Sequence, residues 1–562
     1  MSFLAENLAP IMFGSLLLFL LTGFPVAFAL AATGMVFGWI AVELALVPAA
    51  FFSALPLRLY GIMSNDVLLA IPFFTFMGLI LERSRMAEDL LETIGQVFGP
   101  MRGGLAVAVI VVGAMLAATT GVVAASVIAM GLISLPIMMR YGYNRPLAAG
   151  VITASGTLAQ IVPPSLVLIV IADQLGQSVG DMYRAAFVPA FMLVAIYTLA
   201  MVVLAVVRPS WVPALPPEAR IYRESTGKSG HASLFVLTVI CVAIGGQVFQ
   251  HYAAIKAWLG FAGDAKPPMD ETIVMSLMAT IASAFVIAVL DRLVRTNLLS
   301  ALARQVTFVL IPPLLLVFLV LGTIFLGVAT PTEGGAMGAA GALVLAISRR
   351  RLGWELLKGA LDSSARLAIF VMFVLVGSTI FSLTFQAIDG PIWVKKLFAV
   401  LPGGELGFLI FVNALIFMLG CFIDFFEIAF ILLPLLLPVL KEMDINLVWF
   451  GVMVAMNLQT SFLTPPFGFA LFYLRSVAPN SDYTDKVTKQ RIRAMSTGDI
   501  YRGSVSFVVL QVIMVAFILW KPEIVLSGLG EQKKLDVENV NLNITPQDEE
   551  EEAPPTMGTP AR

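Results

Sequence analysis

Hydrophobic residues run along this chain in long blocks almost free of charge, at about 11–48, 66–82, 105–138, 147–172, 185–207, 232–260, 272–290, 306–347, 366–387, 407–440, 446–474 and 503–520. A membrane helix needs about 20 apolar residues, so most blocks predict one span and the longest predict two. Residues 11–48 predict two helices meeting at Gly23-Phe24-Pro25, and residues 306–347 predict two meeting at Ala329-Thr330-Pro331-Thr332-Glu333. Residues 105–138 are too few for two full antiparallel spans. Ala118-Thr119-Thr120-Gly121 interrupts their centre, with Arg102 on one flank and Arg140 and Arg145 on the other. Lys and Arg mark cytoplasmic loops, so both ends lie on one side. The pattern predicts a re-entrant hairpin with its tip at Thr119–Val123.

The next block carries Gly156-Thr157-Leu158-Ala159-Gln160-Ile161-Val162-Pro163-Pro164-Ser165 at mid-span. Neither proline donates a helix hydrogen bond, and each ring clashes with the preceding turn. A lone proline would read as a kink. Here a second copy, Asn457-Leu458-Gln459-Thr460-Ser461-Phe462-Leu463-Thr464-Pro465-Pro466-Phe467-Gly468, breaks another block in the same way. Pro163 and Pro465 are 302 residues apart (465 − 163), as are Pro136 and Pro438 (438 − 136). Gly103-Gly104 and Gly403-Gly404 are 300 apart (403 − 103). Matched punctuation of this kind indicates an internal duplication. Paired Gly/Pro-interrupted spans point to the binding site of a secondary transporter.

Basic clusters set the sidedness. Arg208, Arg220, Arg223 and Lys228 place one loop in the cytoplasm, Arg349-Arg350-Arg351 another, and Lys486, Lys489, Arg491 and Arg493 a third. The loops Asp173–Asp181 and 263–268 then fall outside. The second hairpin, 407–440, enters from outside, flanked by Glu405, Glu442 and Asp444. One hairpin opens inward and the other outward, which is an inverted-topology repeat. The predicted fold class is an all-α polytopic membrane protein, each repeat holding a re-entrant helical hairpin and a broken transmembrane helix.

Composition agrees. Of 562 residues 59% are hydrophobic and 12% charged, with mean hydropathy +0.94, where a soluble domain carries about a quarter charged residues. No basic patch suggests nucleic acid. Cys241 and Cys421 lie in apolar blocks and read as packing thiols; His231 and His251 are too isolated for a metal cluster. No G-x-x-x-x-G-K-[ST] sequence, paired catalytic carboxylates, nucleophile elbow or zinc motif occurs, so neither ATP hydrolysis nor other enzyme chemistry is expected. The first block follows only Glu6 and reads as a retained helix. The end of the chain, with Asp548-Glu549-Glu550-Glu551-Glu552 and several prolines, has a disordered composition.

Each break is expected to face a hairpin tip. Freed carbonyls and hydroxyls there suit hard cations, and half-helix N-termini favour anions. The first-half candidates are Thr119, Thr120 and Gly121 at the tip, with Ser155, Gly156, Thr157, Gln160 and Pro163 at the break. The second-half candidates are Asp424, Asn457, Thr460, Ser461, Thr464 and Pro465, with the Leu458-Gln459 position supplying an amide. Single hydroxyls also pack between membrane helices without binding anything; two clusters beside double-proline breaks favour sites. Asp424 and Glu427 are the only charges between Leu406 and Leu440, and intramembrane ionisable groups default to function. Glu427 is placed to snorkel or pair, Glu333 to cap a helix, and Trp354, Trp393, Lys395 and Lys396 to anchor at the interface.

Arg145-Pro146-Leu147-Ala148-Ala149-Gly150, Ala154 to Ser165, Ala329 to Glu333 and Leu463 to Gly468 together resemble the large membrane subunit of tripartite ATP-independent periplasmic (TRAP) transporters, over residues 8 to 520. The resemblance implies sodium-driven import of organic acid anions, usually carboxylates, across the bacterial inner membrane by an elevator-type movement. It implies two partners, a periplasmic substrate-binding protein and a small four-helix membrane subunit that is not fused here. Sodium is expected at Thr119, Gly121, Ser155, Gly156, Thr157, Pro163, Asn457, Thr460, Thr464 and Pro465. Substrate is expected at Thr119, Thr120, Gln160, Asp424 and the amide of Leu458-Gln459. Where many members have a serine-rich first tip, this chain reads Thr120-Gly121-Val122-Val123. The inserted pair 232–290 resembles a longer branch associated with mannitol, chloroaromatic or 2-oxo acid uptake. The expected division is scaffold 1–104, transport elements 105–172, linking helices 173–305, scaffold 306–406, transport elements 407–474, a basic loop and last helix 475–521, and an acidic tail 522–562. A stand-alone dicarboxylate or ion exchanger of similar inverted-repeat fold, and a membrane scaffold or channel, are the rival classes.

Overall fold

The repeats are visible first in the helix boundaries. A computed structural model describes residues 2–219, 221, 230–258, 267, 269–294, 298–399, 402–485, 487–527 and 529. The first half runs α1 (Ser2–Glu6), α2 (Leu8–Leu21), α3 (Val26–Glu43), α4 (Leu55–Met63), α5 (Ala70–Arg83), α6 (Met86–Phe98), α7 (Gly104–Thr120), α8 (Val123–Arg140), α9 (Arg145–Thr157), α10 (Leu166–Leu175) and α11 (Val179–Val207). The inserted pair is α12 (His231–Trp258) and α13 (Met269–Val294). The second half runs α14 (Ala301–Phe325), α15 (Pro331–Ser348), α16 (Trp354–Ala387), α17 (Gly390–Ala399), α18 (Gly404–Leu419), α19 (Phe425–Glu442), α20 (Leu447–Phe462), α21 (Phe469–Val477), α22 (Thr497–Trp520) and the short α23 (Glu523–Leu526). Among the described residues eight helices are long and apolar enough to cross a membrane, or nine if a bent pair counts as one span.

The expected junctions fall at 22–25 and 326–330, between α2 and α3 and between α14 and α15. Thr330 caps α15, its hydroxyl accepting from the Glu333 amide at 3.2 Å while Glu333 accepts from the Thr330 amide at 2.7 Å. Three features differ from the hydropathy reading. The block 66–82 is the second arm of a bent pair, turned by 46° from the helical segment Ala49–Met63 that ends in α4. α16 starts at Trp354, because a polar first third extends the apolar span to 34 residues. α6 was not an apolar block at all: it is amphipathic, burying Leu90, Leu91 and Ile94 and carrying Glu88 and Asp89 in its first turn. Trp393, expected at the interface, is half-buried against Phe13 and Phe385, with ring centroids 5.9 Å and 6.3 Å away. The loops at 222–229 and 259–266 and the chain beyond residue 529 lie outside the described residues.

The hairpins are α7–α8 and α18–α19. A helix of 17 residues, such as α7, is about 26 Å long, shorter than the roughly 30 Å hydrocarbon core. The first tip is buried inside the protein, with Thr119 5% and Thr120 4% exposed. Gly121 makes the reversal at φ +59, a left-handed conformation that suits glycine. The broken helices are α9–α10 and α20–α21, interrupted at 158–165 and 463–468. Each contains a cis peptide, Pro163-Pro164 and Pro465-Pro466.

The two repeats exchange partners. α8 of the first hairpin packs on α21 of the second broken helix, and α19 of the second hairpin packs on α10 of the first. Likewise α9 packs on α22, and α20 on α11. The α9–α22 crossing is backbone against backbone: a Cβ on Gly150 would lie 2.2 Å from the Gly503 carbonyl oxygen. Arg145 Nη1 donates to the Ala494 carbonyl ahead of α22, whereas Trp449 Nε1 donates to Ile518 near its other end. The broken helices therefore run in opposite directions, as an inverted repeat requires. An outer layer of α3, α5, α15 and α16 flanks this interlocked body. Small residues let its helices close up: a Cβ on Gly377 would lie 2.4 Å from the Ala27 carbonyl oxygen, and Thr384 donates to the Gly34 carbonyl at 2.9 Å.

The basic loop after α21 folds back as a short hairpin, Tyr483–Thr484 paired with Arg491–Ile492. Asp485 fastens it to α8. Its carboxylate accepts from the Thr488 amide at 2.7 Å and from Arg140 Nε at 3.0 Å. The backbone N–H of Thr488 first, then Arg140 and the Thr488 hydroxyl, hold the carboxyl down at about 2. A lowered carboxyl contributes stability that is present above its ordinary value near 4 and is lost as pH falls towards about 2. Asp485→Asn should lower thermal stability at neutral pH by roughly 1 kcal/mol. It should also flatten the stability–pH curve between pH 4 and 2. An unaltered acid limb in detergent melting curves would contradict this role.

Candidate functional site

Each hairpin tip meets its break. In the first half Gly121 faces the start of α10, where a Cβ would lie 3.0 Å from Leu166 Cγ. α7 and α9 are held close because Gly113 leaves room for Ser155, whose Cβ would be 2.5 Å from a Cβ at 113. Gly156 does the same against Val127 on α8. Thr119, Thr120, Gly121, Ser155, Gly156, Thr157, Gln160 and Pro163 are all buried around this junction. The outer layer seals it, since a Cβ on Gly78 of α5 would lie 2.4 Å from the Thr120 Cα.

The hydroxyls share one arrangement. Thr119 and Thr120 donate to the Leu116 carbonyl, Ser155 to Ile152 and Thr157 to Ala154, at 2.9–3.0 Å. A hydroxyl that donates to its own helix keeps acceptor lone pairs free for a cation. Thr120 also meets Ser126 Oγ at 2.8 Å, which ties the two arms at the tip. Ser165 donates to the Gln160 carbonyl at 2.8 Å and closes the break. Gln160 itself is fully buried, yet neither of its amide atoms meets a hydrogen-bond partner. A buried amide left this way costs free energy, so it marks a place for a polar guest.

The second junction is more open. Thr464 and Pro465 are half-buried, and Pro466 and Phe467 are exposed. Phe467 packs on Phe422 of the tip in a tilted pair, 4.7 Å between centroids. Thr460 donates to Met456, Ser461 to Leu458 and Thr464 to Thr460, again within the helix. Gly420 brings the tip onto Ser461, whose Oγ would lie 2.2 Å from a Cβ at 420. Asp424 caps α19: its Oδ1 accepts from the Phe425 amide at 2.7 Å, and Glu427 reaches back to the Asp424 amide at 3.3 Å. The polar member of the Leu458-Gln459 position is Gln459. It is fully buried, and neither of its amide atoms meets a hydrogen-bond partner among the described residues.

Asn413 was missed by sequence reasoning. Asn457 Nδ2 donates to its carbonyl at 2.7 Å and to its Oδ1 at 2.9 Å, while Asn413 Nδ2 donates to Leu409 at 2.8 Å. The repeat offset of 300 (413 − 113) pairs Asn413 with Gly113, and 302 (457 − 155) pairs Asn457 with Ser155. The duplication thus signals the Asn413–Asn457 contact once Gly113–Ser155 is known.

A family model described as "Tripartite ATP-independent periplasmic transporter, DctM component" matches residues 13–262 and 271–524. The chain belongs to this DctM family. Among its relatives is the C4-dicarboxylate TRAP transporter large permease protein DctM of Pseudomonas aeruginosa, 27% identical over 429 residues, covering 75% of this chain and 80% of that one. The isethionate TRAP transporter permease protein DctMQ of Oleidesulfovibrio alaskensis is 23% identical, covering 84% of this chain and 60% of that protein. The sialic acid TRAP transporter permease protein SiaT of Haemophilus influenzae is 21% identical, covering 82% and 59%. This DctM-family chain is a TRAP large permease subunit: a multi-pass inner-membrane transport protein and not an enzyme.

Proposed function

We propose that this chain carries small organic acid anions, carboxylates such as 2-oxo acids or related acids, into the cell together with sodium. A periplasmic substrate-binding protein delivers the anion, and a small four-helix membrane subunit widens the fixed part. The supporting observation is the pair of junctions where hairpin tips meet broken helices. Hydroxyl oxygens with spare lone pairs and the Asp424 carboxylate supply oxygen ligands for sodium as co-substrate. The unpartnered Gln160 amide and the buried N-terminus of α10 suit an anion. The relatives named for C4-dicarboxylate, isethionate and sialic acid are alike in handling organic anions.

The moving unit in this reading comprises both hairpins and both broken helices, the expected 105–172 and 407–474, extended to α11 and α22 because these pack on α20 and α9. The rest, with α12 and α13, forms the scaffold. The inner unit slides against it when loaded, as unloaded tips would leave polar groups unsatisfied. Thr464→Val keeps the shape and removes one oxygen ligand. It should raise the sodium concentration for half-maximal uptake several-fold while expression stays normal. Sodium dependence identical to the unmodified transporter, in this variant and in Thr460→Val, would remove the second junction from the cation pathway.

A further inference from the structure

A pocket of about 320 Å³ lies between α7, α11 and α14. Ala114, Pro163, Phe187, Phe191, Leu314 and Phe318 form much of its wall, and every other wall residue is apolar too. Water needs two to four polar partners to stay in such a space, and none is offered. Left empty, the walls would lose dispersion contacts on every side. The pocket opens toward the bilayer where Phe191, 46% exposed, meets the half-buried Leu310 and Leu314. From Phe187 to Val194 it follows α11 for about 10 Å. One turn beyond its outer end stands Arg184. This guanidinium lies 5.5 Å over the Phe325 ring, donates to the Phe325 carbonyl, and is 3.7 Å from Asp181. The Phe325 ring in turn meets Phe187 at 6.4 Å.

An apolar shaft with a cation at its outer rim matches one class of molecule. We propose that a phospholipid of the periplasmic leaflet binds here. One acyl chain fills the pocket between α7, α11 and α14, and its phosphate sits at the level of Arg184. The site lies on the seam between the hairpin body and α14, and it stands whichever anion is carried. In the matching place of the second half, residues 411, 414, 415 and 418 of α18 line a groove beside Val512 and Val515 of α22, whose lining among the described residues includes no residue of a third long helix opposite them and adds the polar Asn413, Asn457 and Thr460. The first-half pocket differs in being walled on its third side by α14.

The test uses the full chain in nanodiscs containing a phosphatidylglycerol with a mid-chain diazirine, followed by illumination and mass-spectrometric mapping. Adducts are expected on Ala114 and Phe318 as well as on exposed Phe191. Ala114→Phe should remove the Phe318 adduct and keep that on Phe191. Unlabelled phosphatidylglycerol should compete better than diacylglycerol, and Arg184→Gln should erase that difference. Labelling confined to Phe191 and other outward side chains in the unmodified protein would overturn the site. Equal competition by both lipids in the unmodified protein would overturn the placement of the phosphate.

Discussion

Gly503→Leu is expected to abolish folding of the inner body. A Cβ at Gly503 would lie 1.8 Å from the Pro146 carbonyl oxygen and 2.9 Å from the Gly150 amide nitrogen. Those atoms are backbone, so no rotamer change relieves the clash, and α22 would have to leave α9. This crossing ties α22 of the second repeat to the broken helix of the first. The expected loss exceeds about 4 kcal/mol, the range of severe overpacking. Gly246→Leu is the control: nothing lies within 4 Å of a Cβ there, so the change should stay within about 0.5 kcal/mol. A monodisperse Gly503→Leu protein with near-normal melting would show that the crossing is not as close as described.

Gln160→Leu should separate stability from function. The side chains have similar volumes, and leucine removes two buried polar atoms without partners. Thermal stability should rise by about 1–2 kcal/mol. Uptake should fall by roughly 10- to 100-fold, the cost of one lost hydrogen bond to a charged guest. Higher stability with undiminished uptake would take Gln160 out of the substrate site. Lower stability would mean that its amide has a structural partner.

What the sequence discloses here depends on the kind of signal. Double prolines preceded by small and polar residues mark the breaks at 163 and 465, whereas Pro312-Pro313, in a purely apolar run, stay inside α14, so the proline pair alone does not decide the break. The hairpin tip at 121 follows from block length and flanking arginines. α6 was invisible to the same reasoning, because half of its surface is polar and it forms no apolar block. Asp424 drew attention as a charge in an apolar run. Its spacing to Glu427 also spells a capping box, as does Thr330 with Glu333, but in an apolar run the charge masks the cap. Asn413 is uncharged and mid-arm, so hydropathy passes over it. The exchange of partners, α8 with α21 and α19 with α10, lies beyond periodicity altogether. Two matched halves are equally compatible with repeats that pack apart. Interlocking emerges from residues such as Gly131, where a Cβ would lie 2.7 Å from Val477 Cγ2.

Uptake activity should reside in the three-part assembly and not in this chain alone. The measurement is uptake of a radiolabelled organic acid into proteoliposomes with an inward sodium gradient, using the acid bound by the cognate periplasmic binding protein. This chain alone should give no uptake above protein-free vesicles. Adding the small membrane subunit and the loaded binding protein should start uptake that stops when sodium is replaced by potassium. Saturable uptake by the purified chain alone would reject the tripartite reading in favour of a stand-alone exchanger. Tripartite uptake indifferent to sodium would contradict the assignment of oxygen ligands at the two breaks.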